Sequence, residues 1–210
     1  MDNTLILLDG GFLSKLSKHF GKGQYLKYDL ISFSKNLAKK QGLFCSRIFY
    51  YTAPPFQSDK PTKEEAERYK KYEGFIQKIS KDKILIVREG RCQRLKAGSG
   101  FIYKQKAVDP LAIIDLMSAV IEYPSIKRII LVASDSDFVP AIERLKKVNI
   151  RIILYTYYEE KNRNSIFSTS NELIKSVYKY VLLSKDDFDK AKLKDNQNGG
   201  KTNWPKHKKP

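Results

Sequence analysis

The chain has 210 residues, with 40 Lys and Arg against 23 Asp and Glu, giving a formal net charge of +17. A hydrophobic share of 41% with 12% aromatics suits a packed globular core and argues against a disordered chain. No apolar run reaches the ~18 residues of a membrane span, and the opening MDNTLILLDGGFL lacks the basic leader and small-residue cleavage site of a secretion signal. Cys45 and Cys92 form neither a metal nor a redox motif, so a reduced, cytoplasmic protein with no membrane partner is expected.

In chain order, TLILLDGG reads as a short apolar strand ending at Asp9, with Gly10 and Gly11 allowing a tight turn. Residues 29–42 read as a helix with Asp29 as N-cap and Gly42 as stop. Residues 44–53 form a second strand, closed by Pro54 and Pro55. The stretch 61–80 is a helix, opened by a capping box of Thr62 and Glu65, with Ala66, Tyr69, Tyr72, Ile76 and Ile79 at core spacing. A third strand, 83–90, runs into a basic hairpin or flap around AGSG, from Arg91 to Lys106.

The second half continues with a helix over 108–122, where Asp109 before Pro110 reads as an N-cap. A strand over 128–134, a helix over 138–149 and a strand over 150–158 follow, then a short helix and a further strand within 171–183. Strand and helix alternate, and the strands are continuously apolar. The expected class is therefore α/β, three layers, with a mostly parallel central sheet. From Lys185 onward the composition turns polar and lysine-rich, so the expected domain is 1–184 and the expected tail 185–210, basic and disordered.

Charge is distributed unevenly. Residues 60–106 carry fourteen Lys and Arg against six Asp and Glu, and 189–210 carry seven Lys against two Asp. Residues 107–188 balance at eleven of each. Within that picture Asp9 ends the first strand, Asp135 and Asp137 follow the strand 128–134, and Asp109 opens a helix. In a parallel sheet such junctions gather at the carboxyl edge. Crowded carboxylates raise one another's pKa unless a cation neutralises them. Oxygen ligands without His or Cys favour Mg²⁺ or Mn²⁺ over Zn²⁺. Each acid also has a plainer role: Asp109 as an N-cap, Asp135 or Asp137 as cap of a helix at Phe138. Asp9 caps no evident helix. Asp115, six residues after Asp109, is turned by ~600° and does not share its face.

LILLDGG, KQKAVDPLAIIDL and IILVASDSDFVPAIERLKKVNIRIILY together resemble the NYN domain, in particular its bacterial LabA-like branch within the PIN-like nuclease superfamily. The likeness runs in order from residue 4 to about 183. It implies a PIN-like α/β/α fold and a Mg²⁺- or Mn²⁺-dependent ribonuclease. Asp9, Asp109, Asp135 and Asp137 then match the metal-holding carboxylates, and Asp115 matches the second Asp of the helix motif among the catalytic acids. Two positions depart from the pattern: Phe12 stands where the family often has Asn, and Ser134 where it has Gly.

A metal-assisted phosphodiester hydrolysis needs no histidine pair, and the chain has only His19 and His207. His19 is expected on the surface. Substrate grip is expected from Arg91, Arg94, Lys96, Lys104 and Lys106, interleaved with Phe101 and Tyr103, a composition suited to single-stranded RNA. DNA stays open as a substrate, and a homodimer as an assembly. The competing reading is a catalytically inactive NYN-fold module that binds nucleic acid with strong salt dependence. Toprim nucleases and haloacid dehalogenase phosphatases fit less well, since the first strand here ends in neither Glu nor Asp-x-Asp.

Overall fold

The structure is a computed structural model that describes residues 1–98, 100–159, 167 and 170–193. Its elements are β1 (Asp2–Asp9), α1 (Gly10–Phe20), α2 (Leu30–Lys40), β2 (Leu43–Thr52), α3 (Lys63–Ile79), β3 (Leu85–Glu89), β4 (Arg91–Ala97) and β5 (Gly100–Lys106). They continue with α4 (Val108–Glu122), β6 (Arg128–Val132), a 3₁₀ turn (Ser136–Phe138), α5 (Val139–Lys147), β7 (Arg151–Thr156), α6 (Asn171–Ser176), β8 (Lys179–Leu182) and α7 (Lys185–Asp189).

Six strands form one sheet in the order β3-β2-β1-β6-β7-β8. Every neighbouring pair in it is parallel, so the mostly parallel sheet expected from the apolar runs is wholly parallel. Side chains alternate across it. Ile6 and Leu8 of β1 join a core with α1, α2 and α7 on one face, while Leu5 and Leu7 join a second core with α4, α5 and α6 on the other. This is the three-layer α/β/α arrangement. β4 and β5 stand outside it as a separate antiparallel pair.

Several local expectations change. The glycines after Asp9 do not make a turn; they open α1, whose Phe12, Leu13 and Leu16 are buried at helical spacing. Gly10 is needed there because a Cβ would lie 2.6 Å from the Tyr51 carbonyl oxygen, so the helix can start flush against β2. Phe12 is a core residue, 5% exposed. The capping box of Thr62 and Glu65 is present, but α3 packs less deeply than its tyrosine spacing implies. Ile79 is buried, Tyr69, Tyr72 and Ile76 are half-buried, and Ala66 is exposed. His19 is a surface residue, in tilted ring contact with Phe20, Tyr157 and Phe167.

The segment expected to be tail from Lys185 instead begins with α7. Asp187 caps back onto Ser184 and pairs with Lys40, while Phe188 is 1% exposed against Tyr28 and Phe33. The chain then bridges to Tyr28 at Lys192. A stretch of mostly charged residues hides one aromatic anchor, and that anchor extends the folded unit. The rest of the expected tail, 194–210, lies outside the described residues. Phe188→Ala is expected to destabilise the protein by about 3 kcal/mol, the range for emptying a buried aromatic site, measured as a lower denaturant midpoint with unchanged slope.

Candidate active site

Strand order reverses at one place. The chain builds outward from β1 through β2 to β3, then crosses by α4 to β6 on the other side of β1 and builds outward again. The helices after β1 and after β6 therefore leave toward opposite faces, which opens a crevice at the carboxyl ends of these two strands. Asp9 is the last residue of β1, and Asp135 and Asp137 follow β6.

Asp9 has a structural task that its sequence context did not suggest. Its Oδ1 accepts from the Phe12 amide at 3.0 Å and so caps α1. Burial pushes its carboxyl up to about 6, and Asp109 adds to the rise, against the lowering effect of the Phe12 amide. Asp109 is not the N-cap of α4. Ala107 occupies that position in the left-handed region, with φ of 67°, and makes no side-chain cap. Asp109 lies in the first turn instead, and burial followed by the charges of Asp135 and Asp137 raises its pKa. Asp135 opens the 3₁₀ turn by accepting from the Asp137 amide at 2.9 Å. Phe138, 1% exposed, anchors that turn in the core, so Asp135 and Asp137 stay at the rim.

Asp115 stands apart. Arg88 donates to both of its oxygens, at 2.8 and 3.1 Å, and the Tyr51 hydroxyl donates to Oδ2 at 3.0 Å. This pairing ties α4 to β3 and β2, and it commits the Arg88 guanidinium to Asp115. Arg88 and Tyr51 are partners that sequence spacing does not reveal, since they lie 27 and 64 positions away.

The expected grip residues all lie on the hairpin, and its register sorts them. Arg91 pairs with Lys106, Gln93 with Lys104 and Leu95 with Ile102; Cys92 pairs with Gln105, Arg94 with Tyr103 and Lys96 with Phe101. Arg91, Lys104 and Lys106 therefore share one face, while Arg94 and Lys96 share the other. Two residues not singled out from sequence join the second face. Phe56 packs on Tyr103, and Gln105 reaches the acids: a Cβ at Gly11 would be 3.1 Å from Gln105 Oε1 and 3.2 Å from Asp9 Oδ1. The register, not the composition, was the missing signal. A concavity of about 750 Å³ at the opposite edge of the sheet, lined by Asp2, Lys127, Arg128 and Arg151 among others, is remote from these groups.

Among the described residues, no three His, Cys, Asp or Glu side chains converge as a ready-made metal cage. Asp109 nonetheless feels the charges of Asp135 and Asp137, and Asp9 that of Asp109, since Coulomb effects reach further than ligation. The donor chemistry fits a hard divalent cation. One oxygen each of Asp9 and Asp135 lies outside the capping bonds, and Asp135 and Asp137 are exposed to solvent.

Residues 4–187 match the NYN domain, and the chain belongs to that family, within a nuclease superfamily. A solved structure of similar fold is a protein of unknown function from Vibrio parahaemolyticus RIMD 2210633. It is 17% identical with a TM-score of 0.55, over 89% of this chain and 96% of that one, a likeness of fold alone. No curated protein matches this chain. Among the described residues no helix is long and apolar enough to cross a membrane.

The raised carboxyl of Asp9 has a defined stability signature. An unfolded Asp titrates near 3.8 and this one near 6, so the folded state holds the proton more tightly. Stability falls as pH rises from about 4 to about 6, and above that the full penalty, up to about 3 kcal/mol, is present. Asp9→Asn keeps an oxygen for the Phe12 amide and removes the charge. It is expected to raise Tm by several degrees at about pH 7.5 and to leave it unchanged near pH 4. Mg²⁺ or Mn²⁺ should raise the wild-type Tm at the higher pH more than that of the variant. For the Asp115 pairing, Asp115→Ala should lower unfolding free energy by about 1–2 kcal/mol, discounted for the exposed side of Arg88, as read from chemical denaturation.

Proposed function

We propose that this chain is a divalent-metal-dependent ribonuclease that hydrolyses phosphodiester bonds of single-stranded RNA. The observation that carries the reading is the placement of Asp9, Asp109, Asp135 and Asp137 around the β1/β6 crevice, with Asp9 and Asp109 pushed toward protonation by burial and by neighbouring carboxylates. An acidic focus in a chain of net charge +17 suits a polyanion held from outside while its phosphate meets cations inside. Asp9, Asp109 and Asp135 would hold Mg²⁺ or Mn²⁺. When bound, such a cation supplies positive charge to a phosphate oxygen and makes water more acidic.

The chain's own residues do the positioning. Asp9 is fixed by its cap on α1 and Asp109 by the first turn of α4, so both carboxylates are held by helix starts. Asp137, exposed at the rim, would hold a metal or orient the attacking water. Asp115 is a positioning residue that holds α4 through Arg88 and Tyr51. The free Cys45 and Cys92 fit action in the reducing cytoplasm.

The absence of a converged cage among the described residues favours one second reading, a nucleic-acid-binding module without turnover. End-labelled single-stranded RNA, incubated with Mg²⁺, Mn²⁺ or EDTA, separates the two. The wild type is expected to cut with either metal and not with EDTA, and Asp135→Asn to lose at least about a hundredfold of the rate. Binding by both proteins without cutting of RNA or a DNA control would select the second reading.

A further inference from the structure

The hairpin presents two unlike faces, and only one of them leads to the acids. On that face Gln105 lies beside Asp9 across Gly11, followed outward at alternate positions by Tyr103 and Phe101, 49% and 56% exposed. Arg94, opposite Tyr103, places its guanidinium 4.5 Å from the Phe101 ring centre and 4.7 Å from that of Phe56. Phe56 and Tyr103 are themselves in ring contact at 5.6 Å. Among the described residues Arg94 makes no ion pair or hydrogen bond with a protein acceptor, although Glu65 feels its charge. A concavity of about 430 Å³ adjoins it, lined by Phe56, Gln57, Ser58, Asp59, Lys60 and Arg94.

Three exposed or half-buried rings around a cation whose donors are unspent are an expensive surface to leave in water, and two adjacent carboxyl edges explain its place. Phe56 follows β2 and the hairpin follows β3, next to the β1/β6 crevice in the sheet order. We propose that Phe56, Phe101, Tyr103 and Arg94 form a stacking platform for unpaired bases that feeds a single strand toward Asp9. This rests on the nuclease reading for what happens at the acids, and not for the binding itself.

Strand geometry sets the footprint. Tyr103 and Phe101 lie about 7 and 14 Å along the strand from Gln105. At the ~3.4 Å rise of stacked nucleotides, they take bases about two and four nucleotides from the phosphate at the acids. A duplex keeps its bases stacked inside and cannot use the rings. Single strands are therefore selected over duplexes by the aromatic face, while Arg91, Lys104 and Lys106 on the other face attract either by charge.

The test uses the full chain in EDTA with a fluorescently labelled short oligoribonucleotide, its duplex, and a strand with abasic sites, followed by anisotropy. Phe101→Ala and Tyr103→Ala are each expected to weaken single-strand binding about tenfold, with Phe101→Trp restoring it. Arg94→Lys should weaken it although the charge is kept, because a lysine cannot lie flat between two rings. Duplex binding should be unchanged, and the abasic strand should bind the wild type as weakly as the normal strand binds the variants. 2-Aminopurine in the strand should be quenched by the wild type and not by Tyr103→Ala. Equal loss for duplex and single strand, unchanged affinity in both alanine variants, or dissociation of a dimer by Phe101→Ala would overturn the proposal. Ring-dependent binding without metal-dependent cutting would overturn the nuclease reading and leave the platform standing, whereas cutting without ring dependence would do the reverse.

Discussion

Burial of carboxylates at the β1/β6 edge, sharpened by their mutual repulsion, is the constraint around which the molecule is arranged. Asp9 is held at the end of a buried strand, and Asp109 is brought near it by a helix that starts at Val108, far along the chain. Neither position is comfortable for a charge, as the raised carboxyls record. Two devices offset the discomfort: the Phe12 amide, which donates to Asp9, and the basic excess of the surrounding chain. The β1/β6 neighbourhood is tolerable because the two cores on either side are large and well packed, so the rest of the fold supplies the stability that the acids consume.

The Arg88–Asp115–Tyr51 cluster has a different role. It links three elements that meet near the acids without putting another carboxylate among them. Burial and the Asp115 charge push the Tyr51 hydroxyl strongly toward its protonated, donating form, and the Asp115 hydrogen bond holds Arg88 charged. α4 starts from a strained N-cap, Ala107 with φ of 67°, and this cluster, about two turns further on, fixes the helix's direction.

Much of this architecture was legible from residue order. Apolar strands ending in acids, the Thr62/Glu65 box and the AGSG hairpin all express local chemistry that tertiary structure left alone. What was not legible depends on partners distant in sequence. Gly10 and Gly11 read as a turn because glycine is a poor helix former, yet close packing on Tyr51 requires Gly10 at a helix start. Asp109 read as a cap because Asp-Pro so often is one, but the hairpin delivers the chain to Ala107 in a left-handed conformation that takes the cap position first. Phe188 sat in a charged run, and nothing local announces that Tyr28 and Phe33 wait for it. The aromatic face of the hairpin was hidden for another reason: composition counts rings and cations, and only pairing register divides them.

Gly90 carries a consequence beyond its own position. A Cβ there would lie 2.3 Å from the Lys106 carbonyl oxygen and 2.8 Å from a methyl of Val108, so both feet of the hairpin are pinched together against the first residue of α4. One residue separates β5 from that helix. There is no slack of the kind a flexible linker provides. A force applied at the hairpin's tip is delivered to the helix turn bearing Asp109 as a mechanical load, with the Arg88–Asp115 tether as its fulcrum.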